Sequence, residues 1–183
     1  MVEISLQHII GTVALIGLVI SASLFYTLFT GSVQDDSRKK QLGQISESVA
    51  LNIEEMINLA KFSKYSTGYM VKTFDLPTAV GDQPYKVQLM NDSVKGVYVH
   101  TYLASQPTVA ADSTIPYNSA DTPIRVETTA STYKIEAGAD NTTITCSGII
   151  YGKSSSAVWA NLNWTSTENT PDLITIGLGW LSG

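Results

Sequence analysis

The sequence predicts an α+β protein: a long N-terminal α-helix, apolar and then amphipathic, followed by an immunoglobulin-like antiparallel β-sandwich head. Three observations predict it. Residues 4–34 contain no Asp, Glu, Lys or Arg. Apolar residues then recur at spacings of three and four as far as Phe62, the signature of an amphipathic helix. Beyond residue 70 the period falls to two, in short runs separated by Gly, Pro, Asn, Asp and Ser. The expected organisation is helix and stalk over 1–62, a hinge over 63–69 and a head over 70–183.

The first element is long enough to cross a bilayer, which takes about 20 apolar residues. It does not read as a cleavable signal, because its n-region, MVEISLQ, carries an acid and no base. Arg38, Lys39 and Lys40 follow the run, and by the positive-inside tendency they would hold the C-terminal part in the cytoplasm. A basic leader removed before maturation, or a dedicated export machine, would reverse that orientation, and the outside is the expectation adopted. Small residues at Gly11, Ala14, Gly17, Ser21 and Ser23 punctuate the run, and the Gly17/Ser21 pair lets helices approach closely. Ile9, Ile10, Gly11, Ala14, Leu15, Gly17, Leu18, Ser21, Leu24, Phe25 and Leu28 are therefore candidates for helix–helix packing. A lone anchor bathed in lipid is the alternative. Glu3 is either a register acid, meeting the α-amino group of a neighbouring copy, or a solvated residue favoured by the helix dipole.

The second half of the helix draws its stripe through Leu42, Ile45, Val49, Ile53, Met56 and Ala60, with Leu51, Ile57 and Leu59 widening it. No proline occurs before Pro77, and Gly31 and Gly43 are the weak points of the run. A continuous helix over this range would be about 87 Å long at about 1.5 Å per residue. Its stripe needs a cover, supplied by the chain's own head, by other copies, or by both. Gly68 is the expected helix stop.

Seven or eight strands are expected in the head. Tyr85, Val87 and Leu89 point one way, as do Val97, Val99, Thr101 and Leu103, and a strand is expected over Met70–Phe74. Ile124 and Val126, Tyr133 and Ile135, and Ile174, Ile176, Leu178 and Trp180 continue the pattern. Ile144, Cys146 and Ile150 are read as one face of one strand. In the run 158–164, Val158, Ala160, Leu162 and Trp164 are expected inward, with Trp159, Asn161 and Asn163 outward. Asn91, Asn141 and Asn163 head the three glycosylation sequons.

Composition argues against several functions. With 11 basic and 16 acidic residues the net charge is −5, and no basic face is available for nucleic acid. One cysteine, Cys146, permits no intramolecular disulfide and reads as a small buried hydrophobe. His8 and His100 lie far apart in sequence and, with one cysteine, do not make a zinc set. The acids Asp82, Asp92, Asp112, Asp121 and Asp140 are scattered among turns rather than gathered in a calcium loop. No nucleophile elbow and no phosphate-cradling Gly loop occurs, so no catalytic residue, metal or cofactor is expected.

The apolar helix HIIGTVALIGLVISASLFYTLF, running into an amphipathic stalk and then a β head, resembles the archaeal type IV pilin-like superfamily, which includes adhesion pilins and archaellins. The resemblance covers the whole chain as an architecture, while its sequence content lies in the first 60 residues. The GFTLIE-like start of bacterial pilins and their paired C-terminal cysteines are absent, and Glu3 lies near the place where that family keeps its acid. The resemblance implies a pilin: a precursor clipped by a prepilin peptidase, held in the cytoplasmic membrane, then drawn by an assembly ATPase and platform into an extracellular helical homopolymer that serves adhesion. An archaellin of a motility filament, or a membrane-anchored β-sandwich binding or stator protein of the envelope, is the alternative.

Overall fold

The structure is a computed structural model that describes residues 2–62, 67–116, 124–127, 133–137, 142–152, 155–163 and 173–181. One helix, α1 (Val2–Phe62), runs unbroken through Gly31 and Gly43. Among the described residues ten strands follow: β1 (Thr67–Phe74), β2 (Tyr85–Asp92), β3 (Gly96–Leu103), β4 (Ala110–Thr114), β5 (Ile124–Val126), β6 (Tyr133–Ala137), β7 (Thr142–Ser147), β8 (Ile149–Tyr151), β9 (Ser156–Asn163) and β10 (Leu173–Leu181). The α+β class is as expected, with a helix followed by a largely antiparallel two-sheet head. The chain divides into two compact units, Met1–Ser37 and Arg38–Gly183, so the second half of α1 belongs structurally to the head.

The larger sheet has the order β1-β9-β10-β7-β6. β10 pairs along its length with β9, from Leu173↔Asn163 to Trp180↔Ser156. Its other edge is shared end to end. β5 pairs in parallel with Ile174–Ile176, and β7 pairs antiparallel with Leu178–Leu181. The smaller sheet has the order β4-β3-β2-β8 and is antiparallel throughout.

The main core is built from three sources. The helix contributes the whole expected stripe: Leu42, Ile45, Val49, Ile53, Met56 and Ala60 are all buried, and Ala50 and Ile57 join them. The small sheet contributes Tyr85, Val87, Leu89, Val97, Val99 and Leu103, and the large sheet Val158, Ala160, Leu162, Ile174, Ile176 and Leu178. At about 1.5–3 kcal/mol per buried large side chain, the stripe is a principal source of head stability. Leu51 and Leu59 do not widen it. They lie outside the covered face of the helix, 58% and 51% exposed, because the head covers one side only.

The strands correct the sequence in four places. Gly68 does not end the helix but lies in β1, paired with Leu162. The segment 105–122, between the strands expected to end at Leu103 and to begin at Ile124, contains β4. Ile144, Cys146 and Ile150 do not share a face. The chain leaves the large sheet at Ser147 and enters the small one at Ile149, so the alternation restarts at Gly148. Ile150 joins the main core, whereas Ile144 and Cys146 join a second cluster.

That second cluster overturns the outward placement of Trp159. The alternation of β9 is as expected, with Val158, Ala160 and Leu162 in the main core, but the other face of the sheet is covered too. Trp159 is 2% exposed among Ile144, Cys146 and Ala157, with Val71 and Leu181 packed against them. Its indole Nε1 donates to the Leu178 carbonyl at 3.1 Å, and Tyr69 meets its ring edge-on at 6.1 Å. Trp164, Asn141 and residues 63–66 lie outside the described residues.

Candidate functional site: the apolar half of the long helix

The candidate site is the first half of α1. Ile9, Ile10, Val13, Leu15, Ile16, Leu18, Val19, Ile20, Leu24, Phe25, Leu28, Phe29 and Val33 are all more than half exposed. The most apolar 18-residue window has a mean hydropathy of 2.2 and none of it is buried. Apolar residues occupy every side, so this is no amphipathic stripe seeking one neighbour. A helix apolar all round is stable only in lipid or among other apolar surfaces. By length and composition it suffices to cross a membrane.

Five hydroxyls within the run are closed off by local chemistry. Thr12 donates to the His8 carbonyl at 2.7 Å, Ser21 to Gly17 at 2.8 Å, Ser23 to Val19 at 2.9 Å, Thr27 to Ser23 at 2.9 Å and Thr30 to Tyr26 at 2.8 Å. Each hydroxyl thus reaches back one turn to a carbonyl. Polar side chains satisfied in this way can enter an anhydrous environment at much lower cost. The Phe25 and Phe29 rings stack one turn apart at 6.1 Å.

The packing candidates from Ile9 to Leu28 all lie on this exposed segment. A Cβ added at Gly11 or Gly17 would meet nothing within 4 Å. Glu3 lies in α1, and its side chain falls outside the described residues. The six stripe residues separate from this group, because the head buries them. Asn91 is exposed at the end of β2. Asn163 ends β9, with its side chain outside the described residues.

Elsewhere the head carries a titratable cluster on the small sheet. Asp112 Oδ1 lies 2.6 Å from His100 Nδ1, and its Oδ2 accepts from Lys95 Nζ at 2.7 Å. Burial works to raise the Asp112 carboxyl, but the hydrogen bonds from His100 and Lys95 outweigh it and hold the group below the usual carboxylate range. The two partners occupy both carboxylate oxygens, so the arrangement is a surface ion-pair set. Among the described residues no three His, Cys, Asp or Glu side chains gather as a metal site.

No protein-family model, no curated protein and no solved structure matches this chain.

Proposed function

We propose that this chain is a structural filament subunit of the archaeal type IV pilin-like kind. Copies bundle through residues 8–33 as a helical core and carry their heads outside as a sheath. The carrying observation is an unbroken helix whose first half is apolar on every side and in which the hydroxyls of Thr12, Ser21, Ser23, Thr27 and Thr30 bond back to the helix's own carbonyls. Such a segment serves twice: as a membrane span before assembly and as a dry helix–helix surface afterwards. It lacks a built catalytic centre in this reading and acts by polymerising, outside the cell, with adhesion as the favoured use. A prepilin peptidase and an assembly ATPase with its platform are the partners this reading implies, with no role for nucleic acid or a cofactor. Glycosylation of Asn163 belongs to the same proposal, as decoration of the sheath.

A second reading has an observation in its favour. The amphipathic stripe, which needed a cover, is consumed by the chain's own head. A membrane-anchored β-sandwich protein of the envelope requires nothing more. The two readings part over what surrounds the apolar half. Electron microscopy of material sheared from cells, with the chain immunolabelled, tests this directly. Labelled fibres that disappear in Val19→Lys cells support the filament, since a charge at the centre of an apolar helix costs about 2.5–3.5 kcal/mol even on the mildest insertion scales. Label confined to the membrane fraction, with no fibres, supports the anchor.

A further inference from the structure

Between His8 and Gly31 the apolar half of α1 carries seven side chains able to form hydrogen bonds. Five of them, the hydroxyls of Thr12, Ser21, Ser23, Thr27 and Thr30, are bonded back to the helix's own carbonyls. The other two, the His8 imidazole and the Tyr26 phenol, are exposed and form no hydrogen bond to any described residue. Tyr26 is 70% exposed, and Phe25 and Phe29 stand exposed beside it. These three are the Phe, Tyr and Trp residues of the chain before Phe62. From residue 9 to residue 24 the side chains are aliphatic or small, and the polar ones among them, Thr12, Ser21 and Ser23, are already satisfied.

His8 and Tyr26 are eighteen residues apart. That interval is about five full helical turns, so both side chains leave the same side of the helix, about 27 Å apart along its axis. The hydrocarbon layer of a bilayer is about 30 Å thick, and about 27 Å in thinner membranes. A tyrosine has an apolar ring with a polar hydroxyl at its end, and its place in a membrane protein is the headgroup level. A histidine is likewise an apolar body with a polar tip. The two unpartnered groups therefore stand one hydrocarbon thickness apart, with no unsatisfied polar side chain between them.

A longer frame fits less well. The run 8–33 is about 38 Å long, about 8 Å more than the layer, and burying all of it takes a tilt close to about 40°, the extreme of the usual range. It would also hold the Tyr26 hydroxyl in hydrocarbon with nothing to bond. Asp35 and Asp36 would come to the edge of the layer, on side chains too short to snorkel. In the shorter frame both acids lie about 14 Å or more beyond Tyr26, past headgroups that add about 5–8 Å on each side. We infer that lipid surrounds α1 from His8 to Tyr26, with His8 at one headgroup layer and Phe25, Tyr26 and Phe29 at the other, and that residues 27–37 stand outside the hydrocarbon. The inference rests on the membrane-spanning stage of the filament reading, which the anchored reading shares.

The test uses the full chain in phosphatidylcholine vesicles, with a nitroxide on one introduced cysteine: Leu18→Cys, Thr30→Cys or Val33→Cys. Cys146 is buried and takes no label. A water-soluble nickel complex relaxes nitroxides outside the hydrocarbon, and dissolved oxygen relaxes those within it. Collisions with nickel are expected to be about tenfold or more rarer at Leu18 than at Val33, with Thr30 close to Val33. Tyr26→Leu keeps the helix apolar and removes the phenol. The helix is then free to slide inward, and nickel access at Thr30 and Val33 is expected to fall about threefold or more. Thr30 and Val33 as shielded as Leu18 in the parent chain would overturn the frame and leave the membrane span standing. An unchanged profile in Tyr26→Leu would overturn the assignment of Tyr26 to the boundary. A nitroxide at Leu18 as open to nickel as one at Val33 overturns both the frame and the span.

Discussion

The Thr101 hydroxyl lies 3.0 Å from the Leu42 carbonyl, across the packed boundary between β3 and α1. Both residues are fully buried. The same oxygen lies 3.2 Å from the Ala111 carbonyl on β4, so one side chain ties the helix, the centre of the small sheet and its edge. Thr101→Val keeps the shape and removes the donor. It is expected to cost about 1 kcal/mol, read as a lower denaturation midpoint at unchanged slope for the detergent-solubilised chain.

The helix stripe and its uncovered side are expected to behave differently on truncation. Ile53→Ala opens a cavity at a fully buried position and is expected to cost about 2–5 kcal/mol. Leu51→Ala, two residues earlier and 58% exposed, is expected to stay within about 0.5 kcal/mol. Thermal melts of the two variants side by side check this. Equal losses would show that α1 does not present the stripe to the head.

Gly177 lies directly opposite Trp159 in the β9–β10 ladder, and the indole folds over it. A Cβ at Gly177 would come within 2.4 Å of the ring. Gly177→Ala is therefore expected to destabilise by about 1–3 kcal/mol through overpacking. Tryptophan fluorescence is the readout, with a red shift as the indole is pushed out of its cluster.

Burial pushes the Tyr85 phenol up to about 12. The folded chain holds this proton more tightly than the unfolded one, where phenols titrate near 10. The stabilisation is therefore complete below about pH 10 and is lost as pH rises through 12, by about 3 kcal/mol in all. Tyr85→Phe is expected to remove that part of the slope while costing about 1 kcal/mol at neutral pH for the lost bond to Pro77. Melting curves of both chains between pH 8 and 12 compare the slopes, since every other titrating group is common to the two.

Much of this was legible in the sequence because period and burial are tightly linked. The stripe from Leu42 to Ala60 and the inward faces of β2, β3, β9 and β10 could be read from spacing alone. What covers a face could not. The outer side of β9 reads as exposed because Asn161 and Asn163 share it with Trp159. Ile144, Cys146, Val71 and Leu181 come to cover it only through pairings remote in sequence. Gly148 hid a change of sheet for the same reason: a residue that breaks the alternation looks like one that continues it until the pairing is known. The open apolar helix was the plainest feature of the chain, yet its neighbours belong to assembly and no spacing within one copy names them.

The most direct test is what touches Val19. A photo-crosslinking amino acid at this position, at the centre of the apolar half of α1, reports its neighbour in intact cells. A ladder of multimers of this chain is expected, because each helix in a bundled core meets equivalent helices on several sides. Crosslinks to lipid with no multimers of the chain, or a single adduct with a different protein, would contradict the filament account and place the chain in the membrane as an anchored head.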